Sequence, residues 1–264
     1  MNSFNLIRET KLTSQQKTSQ QSREKTRVTL GYTYYDNPDY LSRQLELWKT
    51  YPAGVDIFVV DDGSEIYPAV DILKYYEPET FQPTLQLWKV TRNLGFNSHG
   101  CRNLIARYST ADAIQFFDMD MLMPAGQIAA IKKIKVQEDV IYHHRCYLHS
   151  FQTVWEPPGH MNCFMIHKDT YNKNKGYDES FTGHHYGDRE FLERLSDNGV
   201  DRAKTNVVVE LHGKPRHGTV SNKVDKTEYV YGEDTFLAPL SIPEVKKLKG
   251  TKKQRLDFPF VKIL

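Results

Sequence analysis

Two short apolar segments of the chain each end in a pair of acidic residues. Residues 55–60 run directly into Asp61 and Asp62, and a second apolar run ends at Asp118 and Asp120. Segments this short and this apolar are typical of strands that are buried on both faces of a parallel sheet. Ligands bind at the carboxyl edge of such sheets, so the sequence predicts an α/β fold with an acidic site at that edge.

The second acidic pair, Asp118 and Asp120, is a candidate metal site. The two side chains point the same way if the strand continues, and a turn would still leave them close together. Neighbouring carboxylates repel each other at neutral pH, and hard oxygen ligands suit Mg²⁺ and Mn²⁺. The alternative is a solvated acidic turn, because Asp-x-Asp alone is a weak signal.

The periodicity of the chain predicts one α/β domain over residues 28–245. A β-rich run at 28–34 comes first, and the helix after it repeats Leu41, Leu45 and Trp48 on one face. Strand, helix and strand in this order begin a βαβ unit. We therefore expect a mostly parallel central sheet with flanking helices.

A further strand and helix follow the first βαβ unit. The strand is predicted at residues 85–90, and the helix is capped by Asn97 or Ser98 and ends near Tyr108. A polar, glycine-containing helix start offers free backbone N–H groups to a phosphate, although plain capping is the more common use.

The net charge of +2 conceals an uneven distribution. Residues 1–27 carry a net charge of +4 and residues 246–255 carry +6, which leaves about −8 for the rest of the chain. Residues 12–26 contain one apolar side chain, so we predict a flexible basic arm at 1–27, and a basic tail at 246–264. Such segments suit a polyanion or a membrane surface, but charged runs are more often only solvated.

The cysteines and the hydropathy favour an intracellular protein. Cys101, Cys146 and Cys163 are odd in number and form no C-x-x-C pair, which argues against a disulfide framework and a structural zinc site. No apolar run approaches the ~20 residues that cross a bilayer, and the N-terminus lacks the apolar core of a signal peptide. We expect a cytoplasmic location.

Four motifs in order along the chain together resemble a known family. They are Val-Val-Asp-Asp-Gly-Ser at 59–64, Arg-Asn-Leu-Gly with Cys-Arg-Asn within 92–103, Phe-Asp-Met-Asp at 117–120, and a Gly-Tyr-Asp-Glu to Gly-Asp-Arg-Glu-Phe segment within 174–194. Their order and spacing are similar to those of nucleotide-sugar-dependent glycosyltransferases of the family 2 type. The resemblance covers roughly residues 28–215 and implies the GT-A fold, a Rossmann-like, mostly parallel sheet in a single domain.

The resemblance also implies roles for individual residues. It implies that Asp118 and Asp120 hold Mn²⁺ or Mg²⁺ on the donor diphosphate, and that a late histidine, His212, is a further metal ligand. A loop histidine bound to backbone is the alternative for His212. The residues that the resemblance places at the nucleotide sugar are Thr33, Tyr34, Tyr35, Asp61, Asp62, Arg102, Asn103 and Asp118.

The same resemblance implies that Asp188 is the catalytic base, with Glu190 as its neighbour. The chain has Gly187 where the family often has a glutamate, which leaves Asp188 as the only acid aligned with the base. Asp188 also starts a predicted amphipathic helix that stops at Gly199, so an ordinary helix N-cap is the alternative.

Together these features predict a metal-dependent glycosyltransferase that inverts the anomeric centre, because a direct displacement needs only one base and one metal. The resemblance favours a UDP-sugar as donor, and the acceptor is a saccharide or hydroxymethylated double-stranded phage DNA held by the basic tails. Two alternatives remain open. One is a sugar-nucleotide nucleotidyltransferase, which would need a Gly-rich phosphate loop after the first strand, and the other is a non-catalytic sugar- or nucleic-acid-binding relative of the same fold.

Overall fold

The computed structural model describes residues 27–95, 97–148, 153–155, 160–183, 186–212 and 254–264. The predicted basic arm lies outside these ranges except for Arg27, and so does the predicted basic tail up to residue 253. Among the helices within these ranges, none combines the length and the apolar character that crossing a bilayer requires.

A single mixed sheet forms the centre of the described part of the protein. Its strands are β1 (Val28–Tyr34), β2 (Asp56–Asp61), β3 (Thr84–Val90), β4 (Ala113–Asp118), β5 (Met121–Leu122), β6 (Val140–Leu148), β7 (Thr153–Trp155), β8 (Phe164–His167), β9 (Asp201–Leu211) and β10 (Phe260–Lys262). Their spatial order is β10-β3-β2-β1-β4-β8-β6-β9-β5, and β7 pairs with β6. The central strands β3, β2, β1 and β4 are parallel, whereas most pairs outside them are antiparallel. The predicted α/β fold with a sheet that is mostly parallel at its centre is confirmed.

Helices cover both faces of the sheet. They are α1 (Pro38–Trp48), α2 (Ala69–Leu73), α3 (Ser98–Tyr108), α4 (Ala125–Ile131), α5 (Lys168–Lys173) and α6 (Gly187–Asp197), with short 3₁₀ turns at Pro78–Thr80 and Glu179–Phe181. The start of α1 shows why the sequence folds this way. Asn37 accepts a hydrogen bond from the main-chain N–H of Tyr40, and Pro38 occupies the first helical turn, where its missing N–H costs nothing.

Alternate residues of the central strands pack into two cores, one on each face of the sheet. Ile57 and Val59 of β2 pack in one core with Leu41, Leu45 and Trp48 of α1. The opposite face carries a core that includes Phe58, Val60, Leu104, Ile105, Phe191 and Leu195. All of these side chains are buried, which explains why the central strands read as continuous apolar runs.

Residues 254–264 belong to the domain although their sequence is part of the predicted basic tail. β10 pairs antiparallel with β3 and forms one edge of the sheet. Three consecutive main-chain N–H groups, those of residues 255–257, donate hydrogen bonds to the carboxylate of Glu179. Phe258 lies so close to Gly100, near the start of α3, that a Cβ at Gly100 would meet its ring at 2.5 Å. The C-terminal segment therefore braces the helix that carries Arg102.

Candidate active site

The carboxyl ends of β1, β2 and β4 lie side by side and bring candidate residues to one edge of the sheet. Tyr34 of β1 is opposite Asp61 of β2, and Thr33 is opposite Asp118 of β4. Parallel pairing thus places the ends of three candidate loops together, at the edge where α/β proteins bind ligands.

The adjacent carboxylates after β2 have different surroundings. Asp61 accepts hydrogen bonds from the main-chain N–H groups of Ser64 and Ala69, both at 2.8 Å, so it holds the turn into α2. Asp62 accepts one from the N–H of Asn97 at 2.8 Å through Oδ2. Its Oδ1 is buried and has no hydrogen-bond partner within the described residues. Burial raises the pKa of Asp62 to about 8, so Asp62 is the carboxylate of this pair whose ionised form is the less well supported by hydrogen bonds.

Asp36, which the sequence analysis did not single out, organises the loop beside this pair. Its carboxylate accepts hydrogen bonds from three successive main-chain N–H groups, those of residues 65–67, at 2.6 to 3.4 Å. The hydroxyl of Tyr34 donates to the carbonyl of Tyr67 in the same turn, at 2.5 Å. A left-handed backbone at Asp36, with φ +40°, marks where the chain turns out of β1. Tyr34 is thus tied into the loop that flanks the predicted nucleotide site.

The Arg-Asn-Leu-Gly motif packs against both of these loops. Asn93 donates a hydrogen bond from Nδ2 to the hydroxyl of Tyr35 at 2.9 Å. Its Cα would lie 2.9 Å from a Cβ at Gly63, where the backbone has φ +77°. Glycine at 63 is therefore required by both the conformation and the close approach.

One buried arginine joins the predicted metal ligand to the predicted base. Arg102 Nη2 donates to Oδ1 of Asp118 at 2.5 Å, and Nη1 donates to Oδ1 of Asp188 at 2.8 Å. The Arg102 side chain is 1% exposed, whereas those of Asp118 and Asp188 are 28% and 15% exposed. The two carboxylates come from β4 and α6, so this contact assembles the site from distant parts of the chain.

The other oxygen of Asp118 is held by a loop that the sequence analysis did not assign to the site. Asn162 donates from Nδ2 to Oδ2 of Asp118 at 2.8 Å, and Nδ1 of His160 lies 3.9 Å from the same oxygen. Oδ1 of Asn162 is itself buried without a hydrogen-bond partner in the described ranges. Both oxygens of Asp118 are thus oriented by protein groups.

A main-chain hydrogen bond places His212 next to Asp120. The N–H of His212 donates to the carbonyl of Asp120 at 3.0 Å, next to the pairing of β5 with β9. The ring of His212 has Nε2 3.4 Å from Oε2 of Glu210. Burial, together with the nearby charge of Asp118, raises the pKa of half-buried Asp120 to about 7. The backbone brings His212 beside Asp120, and its role as a metal ligand stays a prediction.

The charges of this site favour a cation. Asp118, Asp120 and Asp188 supply three carboxylates against the single guanidinium of Arg102, a net charge of −2 when all three acids are ionised. Burial and the charge of Asp118 raise the pKa of Asp120, so its ionised form is disfavoured in the protein alone. Carboxylate oxygens are the ligands that Mn²⁺ and Mg²⁺ favour. Among the described residues, the group that brings three possible ligand atoms within 4.8 Å of one another is Glu138, His167 and Asp169 at the surface, so Asp118, Asp120 and His212 do not lie that close together.

Two predicted site residues have structural partners. Asn103 is buried, donates to the Tyr177 carbonyl and the Glu179 carboxylate, and accepts from the Tyr177 N–H and the Tyr171 hydroxyl. These four bonds occupy the whole side-chain amide. Contact between Asn103 and a nucleotide stays a prediction, and the structure explains the residue without it.

Glu190 is likewise engaged inside the protein. Its two oxygens accept from Nε and Nη2 of Arg194 at 2.8 and 2.9 Å, and Arg194 also donates to the carbonyls of Asn174 and Gly176. Glu190 and Arg194 are 5% and 8% exposed. This buried pair ties α6 to the preceding loop, and participation of Glu190 in catalysis stays a prediction.

The start of α6 places Asp188 at the site. Tyr186 takes the N-cap position with a left-handed backbone, φ +77°, and makes no side-chain capping bond. Gly187 follows because a Cβ there would collide with the His99 ring. The ordinary N-cap alternative for Asp188 is therefore not what the structure shows, since its carboxylate turns instead to Arg102.

No protein-family model matches this chain, and no curated protein matches it. Solved structures do match. The mannosyltransferase PcManGT from Pyrobaculum calidifontis, in complex with GDP-Man and Mn²⁺, has a TM-score of 0.56 at 17% identity over 76% of this chain and 59% of that chain. TarS of S. aureus has a TM-score of 0.56 at 13% identity over 72% of this chain and 37% of that one.

A third similar structure is GalNAc-T7 with UDP, GalNAc and Mn²⁺, with a TM-score of 0.54 at 10% identity over 76% of this chain and 46% of that one. The chain thus spans between 37% and 59% of the length of these three proteins. At such low identities the likeness establishes the architecture, which is the GT-A fold of glycosyltransferases.

Proposed function

We propose that this protein is a metal-dependent glycosyltransferase that moves a sugar from a nucleoside-diphosphate sugar to an acceptor hydroxyl. The observation that carries the proposal is the convergence of Asp118 and Asp188 on Arg102. A carboxylate at the end of a central parallel strand, suited to a cation, then lies in one site with a partly exposed carboxylate suited to proton abstraction.

A nucleoside-diphosphate donor is supported by the similar structures. PcManGT is in complex with GDP-Man and Mn²⁺, and GalNAc-T7 is with UDP, GalNAc and Mn²⁺. The family 2-type motifs favour a UDP-sugar for this chain. The family 2-type motifs also place Asp62 at the base and ribose. Asp62 is 1% exposed in the structure, so the support for this contact comes from the motif and from the position of Asp62 beside the loop that holds Tyr34 and Tyr35.

Asp188 is the group that would activate the acceptor. One of its oxygens is bound by Arg102, and the carboxylate as a whole is partly exposed, so an incoming hydroxyl can reach the other oxygen. A divalent ion held by Asp118 and Asp120, with His212 as a candidate further ligand, would offset the negative charge that develops on the departing diphosphate. One base and one leaving group suffice for a single displacement, which inverts the anomeric centre.

The acceptor that we propose is a saccharide, with double-stranded DNA carrying a hydroxymethylated base as the second candidate. The basic tails that would favour DNA lie largely outside the described residues. Residues 260–262 of the tail form β10, which pairs with β3. Deletion of the tail would therefore remove a strand of the sheet, and a loss of DNA binding could not be assigned to the lost charges. Neutral substitutions at the Lys residues of 246–253 are the better test, because DNA binding through them would become less salt-dependent.

A cytoplasmic location is supported by Cys101, Cys146 and Cys163, which are all buried and form no disulfide.

The proposal is tested by a thermal-shift screen of nucleoside diphosphates with and without Mn²⁺ or Mg²⁺. We expect one diphosphate, with UDP the first candidate, to stabilise the wild type only when metal is present. The Asp118→Asn variant should lose this metal-dependent stabilisation, and Asp188→Asn should keep it while losing sugar transfer. Stabilisation that is indifferent to metal and to Asp118, or the absence of nucleotide-sugar turnover, would refute the proposal.

A further inference from the structure

Arg102 differs from the other buried arginine of the site region, Arg194. Every N–H-bearing nitrogen of the Arg194 guanidinium donates a hydrogen bond. Arg102 donates from Nη1 and Nη2, but its Nε is buried with no partner among the described residues. The two arginines therefore differ in how fully the protein uses their donors, and an unpaired buried donor calls for an explanation.

Contacts of the neighbouring Asn103 and of Tyr177 fix the position of Arg102. Arg102 lies in α3 next to Asn103, whose four hydrogen bonds connect the helix to Tyr171, Tyr177 and Glu179. The Tyr177 ring covers one face of the guanidinium, with 5.3 Å between the Arg102 Cζ and the ring centroid. At 1% exposure the side chain is enclosed by the protein.

The guanidinium also fixes the two carboxylates that it contacts. Its planar fork holds two acceptors at a set separation, which a single ammonium group cannot do. Asp118 is thereby bound at Oδ1 by Arg102 and at Oδ2 by Asn162. Asp188 is bound at Oδ1 only, and its Oδ2 has no hydrogen-bond partner in the part of the chain that the structure describes.

We infer that Arg102 is a positioning residue, which sets the geometry between the carboxylate of Asp118 and the base Asp188 and leaves one oxygen of the base open to the acceptor. This inference rests on the proposed function. It replaces the expectation that Arg102 contacts the nucleotide. The acceptor hydroxyl gives its proton to Oδ2 of Asp188 while its oxygen bonds to the anomeric carbon. The bond from that carbon to the diphosphate oxygen breaks, and its electron pair leaves with the diphosphate.

The test compares Arg102→Lys with Arg194→Lys, which makes the same change at a buried arginine that also pairs with an acid of α6. Both variants are assayed for kcat and KM with the nucleotide sugar that the wild type turns over, and for melting temperature. We expect Arg102→Lys to lower kcat on the order of 100-fold, as misplacement of a reacting group does, with a donor KM within about threefold of wild type. Arg194→Lys should lower the melting temperature with kcat near that of the wild type.

A second variant protects the test against misfolding. Arg102→Ala leaves space for a free guanidinium ion beside the two carboxylates, so guanidinium chloride below denaturing concentrations should restore part of kcat. A raised donor KM with unchanged kcat in Arg102→Lys would make Arg102 a nucleotide ligand and overturn the inference. So would equal activity loss in the two lysine variants, or failure of both Arg102 variants to fold. A wild type that turns over no donor refutes the proposed function and this inference together, whereas full activity in Arg102→Lys refutes this inference alone.

Discussion

Replacing Asp62 with asparagine is expected to stabilise the protein and weaken nucleotide binding. Burial raises the pKa of Asp62 from 3.8 to about 8, which means that the ionised form is disfavoured in the folded state. Only its Oδ2 has a hydrogen-bond partner among the described residues, the N–H of Asn97. The carbonyl oxygen of an asparagine can accept that same bond, so the substitution removes the charge and keeps the contact.

The sign of the pH dependence follows from the raised pKa. The folded state binds the Asp62 proton more tightly than the unfolded chain does, so the wild type loses stability as the pH rises from about 4 to about 8. At ~1.4 kcal/mol per pH unit, the loss that Asp62→Asn avoids is on the order of 5 kcal/mol at pH 8 and close to zero below pH 4.

Urea unfolding at pH 5 and pH 8 measures this difference, with Asp61→Asn as the matched control. Asp61 accepts main-chain N–H groups with both oxygens, so an amide there would oppose an N–H with its own NH₂ and cost about 1–3 kcal/mol. Burial raises the pKa of Asp61 as well, so removal of its charge offsets part of this cost at pH 8, and we expect Asp61→Asn to stabilise the protein less than Asp62→Asn does. A destabilised Asp62→Asn variant, or a gain that is the same at both pH values, would refute the reasoning. Thermal shift with UDP and Mn²⁺ would then show whether the carboxylate that costs stability is the one that binds nucleotide.

Four other predictions concern groups of the site and its support. Asp188→Asn should lower kcat on the order of 1,000-fold, as loss of a general base does. Glu190→Gln should keep kcat but cost about 3 kcal/mol of folding free energy, measured by urea unfolding, because it breaks the buried pair with Arg194. Since Asp120 has a pKa of about 7 and metals bind the ionised carboxylate, Mn²⁺ affinity measured by titration should fall about tenfold for each pH unit below 7. Glu179→Ala should lower stability by about 2–4 kcal/mol, read from urea unfolding, because it leaves three main-chain N–H groups and an amide unpaired.

Each of the last three predictions has a result that contradicts it, and retained transfer in Asp188→Asn would contradict the first. A Glu190→Gln protein of normal stability that has lost transfer would restore a catalytic role to that residue. Mn²⁺ affinity that is flat between pH 5 and pH 8 would mean that Asp120 is not a ligand or is not protonated in this range. Unchanged stability of Glu179→Ala would show that residues 254–264 do not brace the domain.

The local features of the fold could be predicted from the sequence. β1 has the predicted bounds, 28–34, and the helical repeat of Leu41, Leu45 and Trp48 is the buried face of α1. Both signals are periodic and short in range. β6 was not predicted, because His143 and His144 interrupt its apolar pattern, although both are buried in the structure.

The site could be predicted only where a motif carried it. Asp118 and Asp188 were found through ordered motifs, and the structure shows them on one arginine. The bond from Asn162 to Asp118 has no signal in the sequence, since a lone loop asparagine gives no period or spacing. The contacts of Arg102 with Asp118 and Asp188 likewise have no signal in the sequence, because they depend on the tertiary packing of α3 and α6.

The strand that closes the sheet joins very distant parts of the chain, since Phe260 faces Val90 roughly 170 residues away. β10 is three residues long, and closing so large a loop costs entropy that few contacts repay. We therefore expect the segment to open before the central strands do, and its amide hydrogens to exchange with solvent sooner than those of β1. When it lifts away, β3 becomes a bare edge that another copy can pair with, so mild warming in concentrated solution is expected to promote association at that edge before the core unfolds.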